Sequence, residues 1–416
     1  MDVRKKDICL IFYYHKLNRN SFRALAGALE TEKSLSDLEV FFPSTEKELE
    51  ELLEKRYSNG QKVIVGFSFA TAQLPEIKPV IKNFKQQFSD IIAIAGGPHP
   101  SGDPKKTLEL GFDAVAVGEG EKTLVEFLKR IKAGKDWRKI EGLGFLRDSK
   151  FIFTGYQKPV NLNRYPPFSV KFNKIGPIEI SRGCPWGCAY CQTSYLFGRK
   201  MRHRSISQIA KYIKVSLRRG LKDIRFITPN SFAYGSKGDR PNFAALAKLL
   251  KSARKAVGRK GRIFFGTFPS EVRPDFVSKE TLKLVKTYAD NDNIIIGAQS
   301  GSQKILKKIR RAHSVEDIYR AVRLTIKAGF IANVDFIFGL PGETEKDMFQ
   351  TVNVIEDLVK MGARIHGHYF MPLCGTPFKK REAMPLPKEI RKILAKLESQ
   401  GKLYGFWRKQ ELISRL

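Results

Sequence analysis

The stretch IEISRGCPWGCAYC, residues 178–191, decides how the rest of the chain is interpreted. It begins as a short apolar strand and continues into a glycine-containing loop that carries Cys184, Cys188 and Cys191 at the spacing C-x3-C-x2-C. Three of the five cysteines therefore fall within eight residues. Thiolates this close together indicate a metal or iron–sulfur site. Three such ligands on a four-iron cluster would leave one iron open for a substrate or cofactor.

A regular alternation of strands and helices surrounds this loop. The predicted strands cover residues 177–181, 223–228, 262–267, 293–298, 332–338 and 364–371. The predicted helices cover residues 207–219, 242–256, 279–290, 303–310, 315–328 and 344–361. Six such units predict a partial (β/α)6 barrel with its helices outside. The reactive centre of a parallel barrel lies at the carboxyl ends of the strands, where the cysteine loop begins.

The first 135 residues show a second α/β pattern. Strands are predicted at residues 8–14, 37–42, 62–67, 91–95 and 114–117, and helices at residues 21–31, 46–55, 74–88, 105–110 and 122–131. Near-continuous apolar strands between helices predict a doubly wound, flavodoxin- or Rossmann-like parallel sheet covered on both faces. Ligands of such sheets bind outside the carboxyl ends of the strands.

These patterns divide the chain into four parts. Residues 1–135 form the doubly wound domain, and residues 136–176 form a linker that contains a hairpin pattern and a proline-bearing connector. Residues 177–378 form the partial barrel, and residues 379–416 form a basic, helical C-terminal extension.

The net charge of +33 is unevenly distributed. Residues 1–140 carry 23 Lys and Arg against 20 Asp and Glu, whereas residues 201–260 carry 16 basic and 2 acidic residues. An excess of this kind indicates an anionic partner, such as RNA, DNA or lipid headgroups. A solvated, Lys-rich surface of the kind found in heat-loving organisms is the alternative.

The expected cellular compartment depends on two sequence features that are absent, a long apolar run and a secretory signal. No run of ~18 apolar residues is present, so no membrane span is predicted. The N-terminal sequence MDVRKKDICLIFYYHK does not have the pattern of a secretory signal. Because an oxidising compartment would compete with cluster assembly, we expect a cytoplasmic protein.

The cysteine loop, with Tyr190 before its last cysteine, resembles the cluster loop of the radical SAM superfamily. The resemblance implies a [4Fe–4S] cluster on Cys184, Cys188 and Cys191 that chelates S-adenosylmethionine (SAM) at its open iron. It also implies reductive cleavage of SAM to a 5′-deoxyadenosyl radical, with an electron donor such as ferredoxin or flavodoxin. A structural zinc site is the alternative, and it would require a fourth nearby ligand, for which His203 is the nearest candidate.

Four later segments resemble barrel motifs of the Elp3/methylthiotransferase-like branch of that superfamily. They are FPSEV (residues 268–272), GAQSGS (297–302), RRAHS (310–314) and DFIFGLPGET (335–344). The resemblance implies that SAM is contacted by Tyr190, Ser270, Glu271, Gln299, Ser300 and Arg311. The alternative is that these are turn residues at the ends of strands.

The N-terminal domain is similar to the cobalamin (B12)-binding domains that precede many radical SAM domains. Together with the C-terminal stretch GKLYGFWRKQ (residues 401–410), it resembles an uncharacterised archaeal-type B12-binding/radical SAM subfamily. The resemblance implies cobalamin contacts from Ser68, Gly96, Gly97, His99, Gly118 and Glu119. The signature D-x-H-x-x-G is absent, since Tyr13 lies two residues before His15. Cobalamin is therefore expected to bind without a histidine ligand, or the domain keeps the fold without the cofactor.

Three residues are candidates for a direct catalytic role. Cys374 follows the sixth predicted strand, near the barrel mouth, where a thiol could relay or quench a radical; a small residue in a tight turn is the alternative. His366 and His368 alternate on one strand and therefore share a face. They could donate or accept a proton, or serve packing and hydrogen bonding.

The sequence thus predicts a radical SAM enzyme, with cobalamin-dependent methyl transfer to an unactivated carbon of an anionic substrate, RNA first. The alternative enzymatic function is cobalamin-independent radical chemistry, such as sulfur insertion, cyclisation or rearrangement. An RNA-binding protein with a structural or redox-sensing cluster is the alternative of another class. Methylthiotransferases have three further N-terminal cysteines, whereas this N-terminal domain contains Cys9 alone.

Overall fold

The computed structural model describes residues 8–414, and the chain forms two compact units, Met1–Gly176 and Pro177–Leu416. The segment considered as a secretory signal covers residues 1–16, and its first seven residues lie outside the described residues. Within residues 8–414, every helix is too short or too polar to cross a bilayer.

The N-terminal unit contains seven strands and six α-helices in its described part. The strands are β1 (Ile8–Phe12), β2 (Glu39–Phe41), β3 (Lys62–Ser68), β4 (Ile92–Gly96), β5 (Ala114–Ala116), β6 (Leu143–Arg147) and β7 (Lys150–Phe153). The helices are α1 (Arg19–Leu29), α2 (Glu46–Ser58), α3 (Leu74–Gln87), α4 (Pro98–Gly102), α5 (Pro104–Leu108) and α6 (Gly120–Lys132).

The strands form one sheet in the order β2-β1-β3-β4-β5-β6-β7. The first five are parallel, and the order 2-1-3-4-5 is that of a flavodoxin-like doubly wound sheet. One apolar core packs α2, α3 and α5 against one face, and a second core packs α1 and α6 against the other. The predicted doubly wound domain is confirmed. Its topological switch point, where such folds bind ligands, lies between β1 and β3.

Residues 136–176, predicted as a linker, instead extend the N-terminal unit. The hairpin β6–β7 pairs antiparallel with β5, so that Ala116 lies opposite Leu143. Strand β5 would otherwise expose an unpaired edge, and Leu143 and Phe145 carry apolar side chains that become buried when the hairpin joins it. After Gly97, Pro98 opens the short helix α4, which was not among the predicted helices.

The C-terminal unit contains nine strands and nine α-helices in its described part. The strands are β8 (Ile178–Glu179), β9 (Ser181–Arg182), β10 (Arg202–His203), β11 (Asp223–Ile227), β12 (Arg262–Phe264), β13 (Asn293–Gln299), β14 (Ile331–Phe338), β15 (Arg364–Tyr369) and β16 (Leu403–Tyr404). The helices are α7 (Thr193–Phe197), α8 (Ile206–Arg218), α9 (Phe243–Val257), α10 (Lys279–Tyr288), α11 (Gln303–Lys308), α12 (Val315–Lys327), α13 (Glu345–Lys360), α14 (Lys388–Ser399) and α15 (Trp407–Ser414).

These strands build the predicted partial barrel from two parallel arcs. One arc has the order β12-β11-β8, and the other has the order β13-β14-β15-β16. A parallel bridge between Val272 and Ile296 connects them. Strand β16 was not predicted: the C-terminal extension, expected to be helical, also adds this short strand beside β15, with Leu403 opposite Ile365.

Side-chain caps fix where the outer helices begin. Ser314 accepts a hydrogen bond from the backbone N–H of Asp317, and Thr344 accepts one from Asp347. In both caps the aspartate accepts the N–H of the capping residue in return, which satisfies two otherwise unpaired donors at the helix start. Each cap follows a loop at the carboxyl end of a barrel strand, so the loops that carry the candidate residues have defined ends.

Candidate active site in the C-terminal unit

The cysteine loop is anchored at both of its ends. Gly183 has φ of +87°, and a Cβ at this position would lie 2.4 Å from the carbonyl oxygen of Lys200. The next residue, Cys184, donates its N–H to the carbonyl of Gly198, and Ala189 donates to that of Ile309. Only glycine fits the first position without strain. The loop therefore presents its thiols from a backbone that neighbouring segments hold in place.

The three thiols occupy different environments within this loop. Cys188 is buried, and Arg311 Nη1 lies 3.7 Å from its Sγ atom. Burial raises the pKa of the Cys184 and Cys191 thiols, although Thr193 forms a hydrogen bond with the Cys191 sulfur. Ligation requires the thiolate form, so a cationic cluster iron must offset this burial.

The spacing of the thiols argues against a mononuclear zinc site. Among residues 8–414, the cysteine sulfurs do not form a group of three ligand atoms within 4.8 Å of one another. Bonds of about 2.3 Å to one zinc ion would bring the sulfurs much closer together than that. His203, the possible fourth ligand, uses both ring nitrogens, at 2.8 Å from Ser181 Oγ and 3.3 Å from the Gly235 nitrogen. The arrangement favours a larger, multi-iron cluster.

A cavity of about 320 Å³ lies beside the three cysteines. Its walls combine charged, polar and apolar side chains from the ends of several strands. They include Cys184, Trp186, Cys188, Tyr190, Cys191, Glu271, Arg273, Gln299, Arg311, Asp335, Ile337, His368, Phe370 and Met371. Of the six predicted SAM contacts, Tyr190, Glu271, Gln299 and Arg311 line the cavity, and Ser270 and Ser300 do not.

Two buried arginines in the cavity wall keep unused hydrogen-bond donors. Arg311 Nε has no partner in the described structure, and neither do Arg273 Nε and Nη1. Arg273 is 2% exposed, lies 4.4 Å over the Trp186 ring and donates from Nη2 to Asp275. Buried guanidinium donors without partners are costly, so they indicate an absent anionic ligand. The carboxylate of SAM is a ligand of this kind.

Glu271 and Gln299 meet above a glycine in β13. A Cβ at Gly297 would lie 2.6 Å from Glu271 Oε2 and 2.8 Å from Gln299 Nε2. The register of β13 against β14 shifts between Gly297 and Gln299, and Gln299 has φ of +75°. Such bulges re-aim side chains, and a left-handed glutamine is a strained position typical of functional sites. Burial and the neighbouring Asp335 raise the pKa of Glu271 to about 7, against the attraction of Arg311.

Ser270 and Ser300 are engaged inside the protein. Ser270 Oγ donates to the carbonyl of Phe226 and accepts the N–H of Thr228, which ties two strand ends together. Ser300 Oγ lies 3.3 Å from Thr351 Oγ1 and is fully buried. Their predicted contact with SAM stays a prediction, and their present partners give both a structural role.

The three catalytic candidates lie in different surroundings. His368 lines the cavity, and burial lowers its pKa. His366 is hydrogen-bonded to Asp335 through Nδ1 at 3.1 Å. Cys374 lies in the turn after β15, outside the cavity lining, and its carbonyl accepts the side chain of Gln192. A role for each in catalysis stays a prediction.

The cobalamin candidates of the N-terminal unit lie at the carboxyl edge of its sheet. His99 is buried, stacks on Phe69 at 5.5 Å and contacts Thr71 Oγ1 through Nδ1 at 3.1 Å. Glu119 is buried and accepts the N–H of Val160. These two side chains are therefore engaged with the protein itself.

The glycines at the same edge offer backbone in place of side chains. Gly97 has φ of +91°, and a Cβ there would lie 2.7 Å from Ser68 Oγ; Gly96 precedes it at the end of β4. Gly118 has φ of +88°, and nothing lies within 4 Å of the position of a Cβ. Half-buried glycine backbone at the carboxyl ends of β4 and β5 fits a large planar cofactor that is held without a histidine ligand.

The basic segment that follows the cysteine loop is mostly used for structure. Arg199 donates to the carbonyl of Pro185, Arg202 donates to that of Phe197, and Arg204 is 1% exposed. The exposed positive charge lies instead on the adjacent helices α8 and α9, neither of which contains an acidic residue. Their exposed basic side chains, here called the basic helix pair, are Lys211, Lys214, Arg218, Lys248, Lys251 and Lys255.

Sequence analysis missed three residues that the site brings together. Trp186 belongs to the cysteine loop, which was singled out for other residues, and Asp335 appeared only as part of a motif. Arg273 directly follows the FPSEV segment and lies outside it. No local signal marks Arg273. Asp335 could have been found from the H-x-H pattern of β15 only if the pairing register of β14 and β15 had been known.

Two family models match the chain, one in each unit. The B12 binding domain matches residues 12–128, and the Radical SAM superfamily matches residues 178–355. The predicted order of the two domains is confirmed. This architecture implies a [4Fe–4S] cluster and SAM for the second domain and cobalamin for the first, in agreement with the three predicted cofactors.

Individual relatives agree with that architecture. An uncharacterized protein of Methanopyrus kandleri is 24% identical over 354 residues, which cover 70% of this chain and 63% of that protein. The tRNA-2-methylthio-N(6)-dimethylallyladenosine synthase of Petrotoga mobilis is 28% identical over 318 residues, or 71% of this chain and 67% of the enzyme. The chain spans between 54% and 67% of the length of the first four curated relatives that it matches.

A solved structure has the same fold across both units. The radical SAM methyltransferase TsrM from Kitasatospora setae, with cobalamin and a [4Fe–4S] cluster bound, superposes with a TM-score of 0.68 at 17% identity. The match covers 90% of this chain and 74% of TsrM. At this identity the likeness supports the fold.

Proposed function

We propose that this chain, in which a B12-binding domain precedes a radical SAM domain, is an enzyme that cleaves SAM reductively and transfers a methyl group to a carbon atom of its substrate. The proposal rests on Arg311 and Arg273, which line a cavity together with three cysteines and keep buried guanidinium donors without partners in the described structure. Buried guanidinium groups beside the thiols fit the carboxylate group of SAM at an iron–sulfur cluster. A protein with a purely structural cluster would have no use for them.

Different residues of the cavity would contact different parts of SAM. When bound, the cluster and SAM supply a 5′-deoxyadenosyl radical, and cobalamin supplies a methyl group. Arg311 and Arg273 hold the carboxylate, while Glu271 and Gln299 provide polar contacts for the nucleoside. Trp186, Ile337 and Phe370 give the remaining wall an apolar surface that excludes water from the reacting atoms.

Methyl transfer is preferred to sulfur insertion because of the N-terminal unit. That unit has one cysteine, Cys9, which is fully buried in β1, and burial raises its pKa to about 11. It offers no thiolates for a second cluster of the kind that the methylthiotransferase reading needs. The glycine edge described above suits cobalamin instead.

The cluster and SAM reaction can be tested with a matched pair of cysteine variants. The reconstituted, reduced protein is expected to release 5′-deoxyadenosine from SAM, and addition of cobalamin and substrate is expected to yield S-adenosylhomocysteine as well. Cys188→Ala should lose four-iron assembly and all SAM cleavage, whereas Cys374→Ala should keep both. Intact SAM after incubation with the reduced, cluster-loaded wild type would refute the proposal.

For the substrate, we propose RNA, which the basic helix pair would bind through phosphates. Six exposed basic side chains on two adjacent helices without an acidic residue form a strongly positive surface. The Petrotoga relative, named for a tRNA product, adds weight to this choice. The same proposal places the enzyme in a reducing cytoplasm, with ferredoxin or flavodoxin as its electron donor.

The RNA proposal predicts a salt-dependent affinity that depends on these helices. Each phosphate contact to a single strand contributes about 0.7 to the slope of log K against log salt. Lys248→Glu/Lys251→Glu should therefore lower the slope for tRNA by about 1.4. Lys392→Glu/Lys396→Glu on α14, equally exposed and basic, is the control and should leave the slope unchanged. Equal slopes for wild type and the α9 variant would exclude this surface as the RNA site.

A further inference from the structure

Three potential metal ligands other than the cysteines converge at the wall of the C-terminal cavity. Asp335 on β14 lies opposite His366 on β15 in the parallel register, and His368 follows two residues later on the same face. One ligand atom from each of the three side chains lies within 4.8 Å of the others. Among the described residues, this is the one group of its kind.

The distances within the group fit ligands of a single ion. Asp335 Oδ1 and His366 Nδ1 are 3.1 Å apart, and the two imidazole rings are centred 4.3 Å apart. Two ligands at about 2.1 Å from one ion, as is usual for Zn–N and Zn–O bonds, are separated by about 3 Å. The same separation also suits a direct hydrogen bond, which is the competing explanation.

The surrounding residues fix the orientation of His366. The Tyr404 ring stacks on its imidazole, with centroids 4.8 Å apart and planes 15° apart. Gly405 has φ of +123°, and a Cβ there would lie 2.9 Å from the His366 ring and 2.3 Å from the carbonyl of Gly367. Strand β16 can therefore pass close to His366 only with glycine at this position. Metal sites require ligands held in this way.

Asp335 gives the group a carboxylate ligand beside the cavity. It is 8% exposed, and the neighbouring Glu271 is already attracted by Arg311 and Arg273. Asp335 and His368 both line the cavity, so an ion bound between them would keep open positions on the cavity side.

We propose that Asp335, His366 and His368 form a site for a divalent transition metal, separate from the cysteine ligands. Two imidazoles and one carboxylate are the donors that Zn²⁺, Fe²⁺ and Co²⁺ prefer. The open positions would accept an oxygen or nitrogen atom of the substrate and so orient it in the cavity. This site goes beyond the proposed SAM chemistry, and its existence does not depend on SAM cleavage.

The test is a zinc count on the cluster-loaded protein. The holoprotein is equilibrated with Zn²⁺, desalted, and its zinc and iron per chain are measured by mass spectrometry. Wild type is expected to retain one zinc in addition to four irons. His366→Gln keeps a hydrogen-bond donor for Asp335 and removes the ligand; His368→Gln removes the second imidazole. Both should retain four irons and no zinc.

A matched histidine elsewhere serves as the control. His15 in the N-terminal unit is half-buried, with Nε2 at 4.0 Å from Glu76, and belongs to no group of three ligands in the described structure. His15→Gln should retain zinc as wild type does. Wild type without zinc, or zinc retained by His366→Gln, would establish a hydrogen-bonded network in place of a metal site. X-ray absorption at the zinc edge of wild type, with two imidazoles expected, gives an answer that needs no variant.

Discussion

The buried polar side chains at the cofactor edges of the two units differ in whether their hydrogen bonds are satisfied within the protein. In the C-terminal unit, Arg311 and Arg273 line the cavity and have buried donors without partners in the described structure. In the N-terminal unit, His99 and Glu119 are equally buried, yet each is bonded within the protein. The unpaired buried atoms in the described part of the N-terminal unit belong to Arg23, Arg56 and Gln157, none of them a cobalamin candidate.

This difference indicates two modes of cofactor recognition. A small charged ligand is held by side chains whose hydrogen bonds remain unmade until it arrives. A large, flat and mostly neutral ligand needs contact area, and the open space beside the half-buried Gly118 is suited to such a contact. A polar residue at a cofactor edge is therefore informative only when its hydrogen-bond partners are known.

The largest expected effect tests the unpaired arginine. Arg311→Met removes a buried cation that we place on the SAM carboxylate, so SAM affinity should fall about 100-fold, or about 3 kcal/mol. Calorimetry on the cluster-loaded protein measures this directly. Arg310→Gln, an exposed neighbour, should bind SAM as wild type does. Equal affinities for Arg311→Met and wild type would remove the contrast between the two edges.

The next effect compares two buried glutamates, both of which accept hydrogen bonds from backbone N–H groups. Glu343 accepts the N–H of Leu340, and burial raises its pKa to about 8, whereas Glu119 accepts that of Val160. A carboxyl with a raised folded-state pKa lowers stability as pH increases from its unfolded value, about 4.5, to about 8. Glu343→Gln lacks this penalty.

Relative to wild type, Glu343→Gln should gain about 2.5 kcal/mol between pH 6 and pH 9. For a unit of this size, the melting temperature of Glu343→Gln minus that of wild type should therefore be about 7 °C larger at pH 9 than at pH 6. Glu345→Gln, an exposed neighbour at the start of α13, should show a constant difference from wild type. A pH-independent difference for Glu343→Gln would mean that Glu343 is ionised in the folded protein.

The smallest effect is expected in the N-terminal unit. His99→Phe replaces a ring that stacks on Phe69 and contacts Thr71, so cobalamin retention should change by less than about 1 kcal/mol, or about fivefold. The cob(II)alamin EPR spectrum of wild type should not change when the histidines of the protein are labelled with 15N. Gly118→Val, which places a side chain on the open edge, should reduce retention by more than His99→Phe does. The reverse order would make His99 a cobalamin contact.

The sequence was sufficient to locate the strands but not to predict how all of them pair in the sheets. Apolar runs and glycine turns located every parallel strand of both sheets to within a few residues except β16, and the cysteine spacing located the site. The hairpin at residues 136–176 was recognised, but its pairing with β5 was not, because an exposed sheet edge leaves no mark in the sequence.

For the candidate site too, the sequence located the segments but not the surroundings of every side chain. Glu271, Gln299 and Arg311 share one cavity, in agreement with their predicted grouping. Ser270 and Ser300 belong to the same sequence motifs but bond to strand ends and to Thr351 instead. A motif identifies a segment, whereas the direction of each side chain depends on register and bulges, such as the one at Gln299.

The position of Trp186 has an optical consequence. The chain contains three tryptophans, and Trp186 is the one that lines the cavity with the cysteines. Trp137 belongs to the N-terminal unit, and Trp407 is buried against Phe338. An iron–sulfur chromophore absorbs at the wavelengths where indole emits, so cluster assembly should quench Trp186 fluorescence. With Trp137 and Trp407 replaced by phenylalanine, that emission would report cluster loss in real time, without any label.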